Sequence, residues 1–107
     1  MSVGEENMRY RMDNGTIVDT ARASRHWEEA CDWDGSNMIS RATGSQWEHR
    51  DLYRSRRGNY YVRHYSDWQG TRDHIEWVSR EEAARWLLLM EEELPKDLKD
   101  LEDEIVE

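Results

Sequence analysis

The fold turns on LYRSRRGNYYVRHY, residues 52–65, where four arginines, four tyrosines and one histidine surround a single glycine. Two extended runs, residues 46–55 and 60–68, flank Arg56-Arg57-Gly58-Asn59, so the stretch reads as an antiparallel hairpin. Glycine favours the first central position of a type II′ turn, which selects Gly58-Asn59 as the centre. Centring on Arg57-Gly58 instead moves the pairing by two and leaves the faces unchanged. Either way, Tyr53, Ser55, Tyr60, Val62 and His64 share the expected core face, and Leu52, Arg54, Arg56, Tyr61, Arg63 and Tyr65 share the other. That second face interleaves arginine with tyrosine. One reading is guanidinium planes stacked on phenol rings over a half-exposed sheet. The other is stacking platforms and phosphate contacts for single-stranded nucleic acid.

The flanking sequence extends the sheet on both sides. Residues 8–20 predict a hairpin, because Asn14-Gly15 tolerates positive φ. Residues 24–33 read as a third strand, residues 34–37 as a turn, and residues 73–78 as a last short strand. Helix begins after Ser79, with Glu82 three residues on completing a capping box. Ala83, Trp86, Leu87 and Met90 recur at helical spacing, which makes this helix the lid of the sheet. Leu94-Pro95 marks its end, and Pro95 suits the first turn of a second helix. Leu94, Leu98, Leu101 and Ile105 then form a narrow apolar seam. The expectation is an α+β domain: an antiparallel meander of about five or six strands followed by one or two C-terminal helices. Residues 1–7 are expected to be disordered, residues 8–94 to form the domain, and residues 95–107 to form an acidic helix or tail.

Composition limits the core and the partners. Leu, Ile and Val number only sixteen in 107 residues and Phe is absent, so the six Trp and five Tyr must supply much of the interior. Net charge is −9, unevenly spread: residues 91–107 carry nine acids against two lysines, whereas residues 41–72 carry seven arginines against three acids. A strongly acidic chain disfavours general nucleic-acid or anionic-membrane binding but leaves room for a local basic site. The lone Cys31 excludes an internal disulfide, and no apolar run reaches membrane-spanning length, so a cytoplasmic setting is expected.

Chemistry-bearing patterns are sparse. Asp51 and His64 fall opposite each other in one hairpin register, which would orient an imidazole as a general base for a small hydrolase. No nucleophile or oxyanion loop stands beside them. Histidines and Cys31 lack metal-binding spacing, and no cofactor or nucleotide motif occurs. DWDGSN, residues 32–37, misplaces the glycine of a calcium loop and reads as a turn closed by side-chain-to-backbone bonds. In a second helix, Asp97, Asp100 and Glu104 would line up as a row of carboxylates able to compete for a basic groove.

The hairpin DLYRSRRGNYYVRHYSDWQG followed by IEWVSREEAARWLLLMEEELP resembles a pattern in small uncharacterised bacterial and mobile-element proteins, an LYR-[ST]-[RK]-x-G-x-[WY]-[YF] hairpin before an S-x-E-E-A-x-x-W-L helix. Leu52, Tyr53, Arg54, Gly58, Tyr60, Tyr61, Glu82, Ala83 and Trp86 match it. The resemblance implies an accessory protein and assigns no catalytic residue or ligand. In size and acidity the chain is also similar to phage and plasmid inhibitors of host defence, including anti-CRISPR and antirestriction proteins. The resulting expectation is a non-enzymatic interaction protein without cofactor or metal. It would bind a protein or nucleoprotein partner through Arg54, Arg56, Tyr61, Arg63 and Tyr65, through Asp97, Asp100 and Glu104, or through both, and would inhibit a nucleic-acid-handling or defence complex. The alternatives are single-stranded nucleic-acid binding by the Arg/Tyr face and the Asp51–His64 hydrolase.

Overall fold

Among the described residues, eight short antiparallel strands precede two C-terminal helices, giving the expected α+β class with more strands than a single meander would hold. The computed structural model describes residues 9–12, 14–68 and 72–107, so the N-terminal stretch expected to be disordered lies outside the described residues. The centre is a four-stranded sheet ordered β3 (Arg25–Trp27), β6 (Glu48–Arg54), β7 (Tyr60–Ser66) and β8 (His74–Val78). Two separate hairpins flank it: β1 (Arg9–Arg11) with β2 (Ile17–Asp19), and β4 (Cys31–Trp33) with β5 (Met38–Ser40).

The β6–β7 register differs from both expected ones by an odd step. Arg54 pairs with Tyr60, Tyr53 with Tyr61, and Leu52 with Val62. The loop is one residue longer than a two-residue turn: Ser55 N–H donates to Asn59 O (2.8 Å), Gly58 N–H donates to Ser55 O (3.0 Å), and Gly58 sits at φ 89°. This is the three-residue hairpin loop in which glycine takes the left-handed position at the end of the turn rather than its start. Because side chains alternate with period two, the odd shift flips one strand's faces relative to the other. Leu52, Arg54, Tyr60, Val62 and His64 therefore share one face, and Tyr53, Tyr61, Arg63 and Tyr65 share the opposite one. The expected Arg/Tyr face does not exist as a unit.

Each face is covered by a different layer. Against Leu52, Tyr60, Val62 and Trp27 pack α1 (Arg80–Leu89), through Ala83, Ala84 and Leu87, and the C-terminal segment, through Leu94, Leu98 and Leu101. The other face carries a cross-strand row of rings running through all four strands: His26 on Tyr53 (4.2 Å), Tyr53 on Tyr61 (5.1 Å), and Trp77 edge-on to Tyr61 (5.7 Å). The β1–β2 hairpin closes over it through Val18 and Met12. With so few aliphatics, aromatic pairing replaces them as the cross-strand unit. Tyrosine carries more of this than tryptophan: Tyr60 and Tyr61 are fully buried, whereas Trp33, Trp47 and Trp68 are exposed, against the expectation that most tryptophans are core.

Three local expectations are revised. The third strand breaks at residues 28–30, because Glu29 turns inward to accept hydrogen bonds from Ser40 Oγ (2.6 Å) and Arg50 N–H (2.8 Å). The capping box forms as read, with Glu82 N–H donating to Ser79 Oγ (3.1 Å) and Ser79 N–H to Glu82 Oε1 (2.9 Å). The helix stops before Pro95: Glu91 adopts φ 62°, and Glu91 and Glu92 donate their N–H groups to Leu88 and Leu87 carbonyls. That is a Schellman closure with glutamate where glycine is usual. The tail is a 3-10 helix, Lys96–Leu101, leading into the single α-turn α2, Glu102–Ile105, and its leucine seam belongs to the core. Among the described residues no helix is long and apolar enough to cross a membrane.

Candidate functional site

An open cleft of about 660 Å³ lies where the β1–β2 hairpin meets the β6–β7 turn. Asp19 ends β2 and caps the 3-10 turn Thr20–Arg22 by accepting Ala21 N–H at Oδ1 (2.9 Å). Ser24 then ties this turn to the end of β6: its N–H donates to Arg54 O (2.7 Å) and its hydroxyl reaches the Arg54 and Ser55 carbonyls. That staple places Arg22 beside the tip of the β6–β7 hairpin. Arg9, Arg22, Arg56 and Arg57 line the resulting cleft, and its apolar wall is Ile17, Tyr61 and Trp77.

The arginines are not equivalent. Arg9 Nε donates to Asp19 Oδ2 (3.2 Å), its cross-strand neighbour. Arg22, Arg56 and Arg57 are exposed and have no ion-pair partner among the described residues. The Ala21 N–H bond, with the Arg9 contact, holds the Asp19 carboxyl below its ordinary range despite the opposing effect of desolvation. Ile17 is 59% exposed, so the cleft combines a cationic rim with a wet apolar surface.

Of the partner-binding residues expected from sequence, Arg56 and Tyr61 line this cleft, and Tyr61 is 1% exposed, so its ring offers no free stacking surface. Arg63 is engaged by Asp73 (2.6 Å) and the Tyr10 hydroxyl (3.2 Å). Tyr65 is contacted by the Arg63 guanidinium (4.5 Å) and the His49 ring (5.1 Å). Arg54 lies on the helix-covered face and donates to Asp97 Oδ2 (3.2 Å), which also accepts the Tyr60 hydroxyl (2.9 Å). Asp100 accepts from Arg80 (2.8 Å), and Glu104 stays exposed on the short α2. The expected row of free carboxylates is thus broken, because Arg54 and Arg80 engage Asp97 and Asp100 and leave Glu104 apart from them. Arg9, Arg22 and Arg57 were not singled out by sequence reasoning; no periodicity relates residues that meet only when two turns pack together.

The other chemical candidates reduce to structure. Asp51 pairs across the strands with Arg63, and His64 with Arg50, so Asp51 and His64 sit on opposite faces of the sheet and form no dyad. Asp51 is buried and accepts Glu29 N–H (3.0 Å), with His26 Nε2 at 3.6 Å. A denser cluster surrounds Glu29. Its carboxylate accepts from His49 Nδ1 (2.5 Å) as well as Ser40 and Arg50, and His49 Nε2 meets Asp67 (2.9 Å). Desolvation works against charging His49, but the hydrogen bonds to Asp67 and Glu29 outweigh it and raise its pKa. The nearby Cys31 thiol is pushed up by burial and by Glu29, which keeps it protonated and a poor nucleophile. No group of three His, Cys, Asp or Glu among the described residues is placed to hold a metal ion. The DWDGSN segment is the turn its sequence suggests: Asp34 Oδ1 accepts the N–H groups of Ser36 (2.8 Å) and Asn37 (2.7 Å).

No family model matches the sequence, and neither the curated proteins nor the solved structures contain a detectable match to it.

Proposed function

We propose that the protein is a non-enzymatic interaction module that docks an acidic segment of a protein partner in the arginine cleft. The observation that carries this reading is the convergence of Arg9, Arg22, Arg56 and Arg57 on one cleft of a chain with net charge −9. Guanidinium groups are planar forks matched to carboxylates and phosphates, and they are hot-spot residues at protein interfaces. A protein is favoured over single-stranded nucleic acid for two reasons. The tyrosines that would stack bases are buried or engaged, and a continuous polyanion leaving the cleft would run onto a predominantly acidic chain. Inhibition of a nucleic-acid-handling or defence complex is the specific form this reading takes if the captured partner belongs to one.

The test is affinity capture from the native host with the wild-type protein and an Arg56→Glu/Arg57→Glu variant, whose sites are exposed turn residues. A partner retained by the first, lost by the second and released by moderate salt supports the reading. A partner held equally by both places the interface elsewhere and overturns it.

A further inference from the structure

We infer that the cleft selects a short peptide segment in which carboxylates flank an apolar side chain, and that Asp19 sets its affinity by occupying the place of one ligand carboxylate. This rests on the interaction-module reading and deepens it. The rim accounts for the carboxylates: three arginines there make no ion pair among the described residues, and each can form paired hydrogen bonds to one. The wall accounts for the apolar side chain. Ile17 is 59% exposed and lines the same cleft as Val18, Tyr61 and Trp77. A purely charged ligand would leave that surface wet, whereas a Leu- or Phe-bearing one would cover it. The cleft, at about 660 Å³, lies in the range of sites for small ligands, which suits a few residues in extended form rather than a folded face.

Asp19 shows how the cleft receives a carboxylate. One oxygen, Oδ1, is committed to the Ala21 N–H; the other, Oδ2, faces Arg9 at 3.2 Å. An incoming acid must share Arg9 with it and approach against its charge. Asparagine caps a helical turn as well as aspartate does, so Asp19→Asn keeps the Oδ1 bond, while an amide NH2 in place of Oδ2 removes both the charge and the acceptor of Arg9 and frees that guanidinium for the ligand.

The experiment is fluorescence anisotropy with labelled ten-residue peptides on the full chain: one alternating Glu with Leu, one alternating Glu with Ser, and an oligothymidylate of similar charge. Wild type should bind the Glu/Leu peptide at least about tenfold more tightly than the Glu/Ser peptide, and more tightly than the oligonucleotide. Asp19→Asn should tighten the Glu/Leu peptide by about fivefold at low salt, with the gain shrinking as salt rises. Equal binding of the two peptides overturns the apolar part, and an unchanged or weakened affinity in a normally melting Asp19→Asn protein overturns the role of Asp19. Tighter binding of the oligonucleotide assigns the cleft to single strands instead. If nothing binds wild type the inference falls, while the capture result with Arg56→Glu/Arg57→Glu still decides the broader reading on its own.

Discussion

The hydroxyls of adjacent Tyr60 and Tyr61 have opposite fates, which yields a sharp stability prediction. Tyr60 is 2% exposed and its hydroxyl donates to Asp97 Oδ2 at 2.9 Å, linking the sheet to the C-terminal segment. Tyr61 is 1% exposed and its hydroxyl has no partner among the described residues. Asp97→Ala deprives the buried Tyr60 hydroxyl of its acceptor, which costs about 1–3 kcal/mol. It also removes the half-exposed Arg54 contact, worth about 0–1 kcal/mol. A total of about 2 kcal/mol lowers the melting temperature by about 9 °C at this chain length, from the average unfolding entropy per residue. Tyr60→Phe alone should cost about 1 kcal/mol, and the double variant should lose much less than the sum, a coupling of about 1 kcal/mol. Tyr61→Phe is the control: deleting an unpaired buried hydroxyl should be neutral or stabilising. Burial opposes ionisation of Asp97, but the bonds from Tyr60 and Arg54 prevail and hold its carboxyl below the usual carboxylate range. A depressed carboxylate contributes stability above its unfolded pKa and loses it as pH falls through the folded value, so the coupling should be full at pH 7 and vanish in strong acid. Circular-dichroism melts of the four proteins of the cycle check this. Additivity of Asp97→Ala and Tyr60→Phe to within about 0.3 kcal/mol at pH 7 would refute the claim that this contact anchors the tail.

Glu91→Gly should raise stability by about 0.5–1 kcal/mol in urea denaturation, because it relieves a left-handed backbone at φ 62° while sacrificing only an exposed contact to Arg41. Gly58→Ala should lower stability by about 1 kcal/mol or more in the same assay, since φ 89° is unfavourable for alanine and its Cβ would lie 3.3 Å from Arg54 Nη2. The raised pKa of His49 contributes stability that is complete below about 6.5 and is lost as pH rises through the folded value. His49→Gln should therefore cost more at pH 6 than at pH 8. That comparison isolates His49 from His64, whose pKa is lowered by burial and acts in the opposite sense.

Elements whose signals are local were legible in the sequence. The capping box at Ser79, the glycine turns and the 94/98/101/105 seam each rest on residues a few positions apart, and all formed. The faces of the central hairpin were not, because they depend on loop length by a single residue. Gly58 satisfies either a two-residue or a three-residue loop, and the two give opposite partitions of every side chain beyond them. A deciding signal was nonetheless present. Leu52 and Val62 are the only aliphatics of residues 52–65, and a helical lid requires them on one face. That demand selects the observed pairing and excludes both two-residue turns. Aliphatic placement outranks turn preference wherever aliphatics are this scarce, since misplacing two of sixteen would strip the lid of its partner.

The same register explains why the charges are disposed as they are. With Arg54 on the lid side, it faces the acidic segment after Pro95 and is neutralised there by Asp97. With Arg63 on the hairpin side, it is neutralised by Asp73. Arg41, Arg54 and Arg63 are thus spent on ion pairs, so the seven arginines of residues 41–72 overstate the free basic surface. Among the described residues, Arg11, Arg25, Arg50, Arg72 and Arg85 also make no ion pair, but Arg56 and Arg57 at the tip of one hairpin and Arg22 on the turn stapled beside it by Ser24 come together on one cleft. Arg54 and Arg63 of the central hairpin are drawn into ion pairs across the layers, whereas the turns have no layer above them. The proposed binding role accordingly falls at these turns, since the helix and tail pack on Leu52 and Val62 and the first hairpin on Tyr53 and Tyr61.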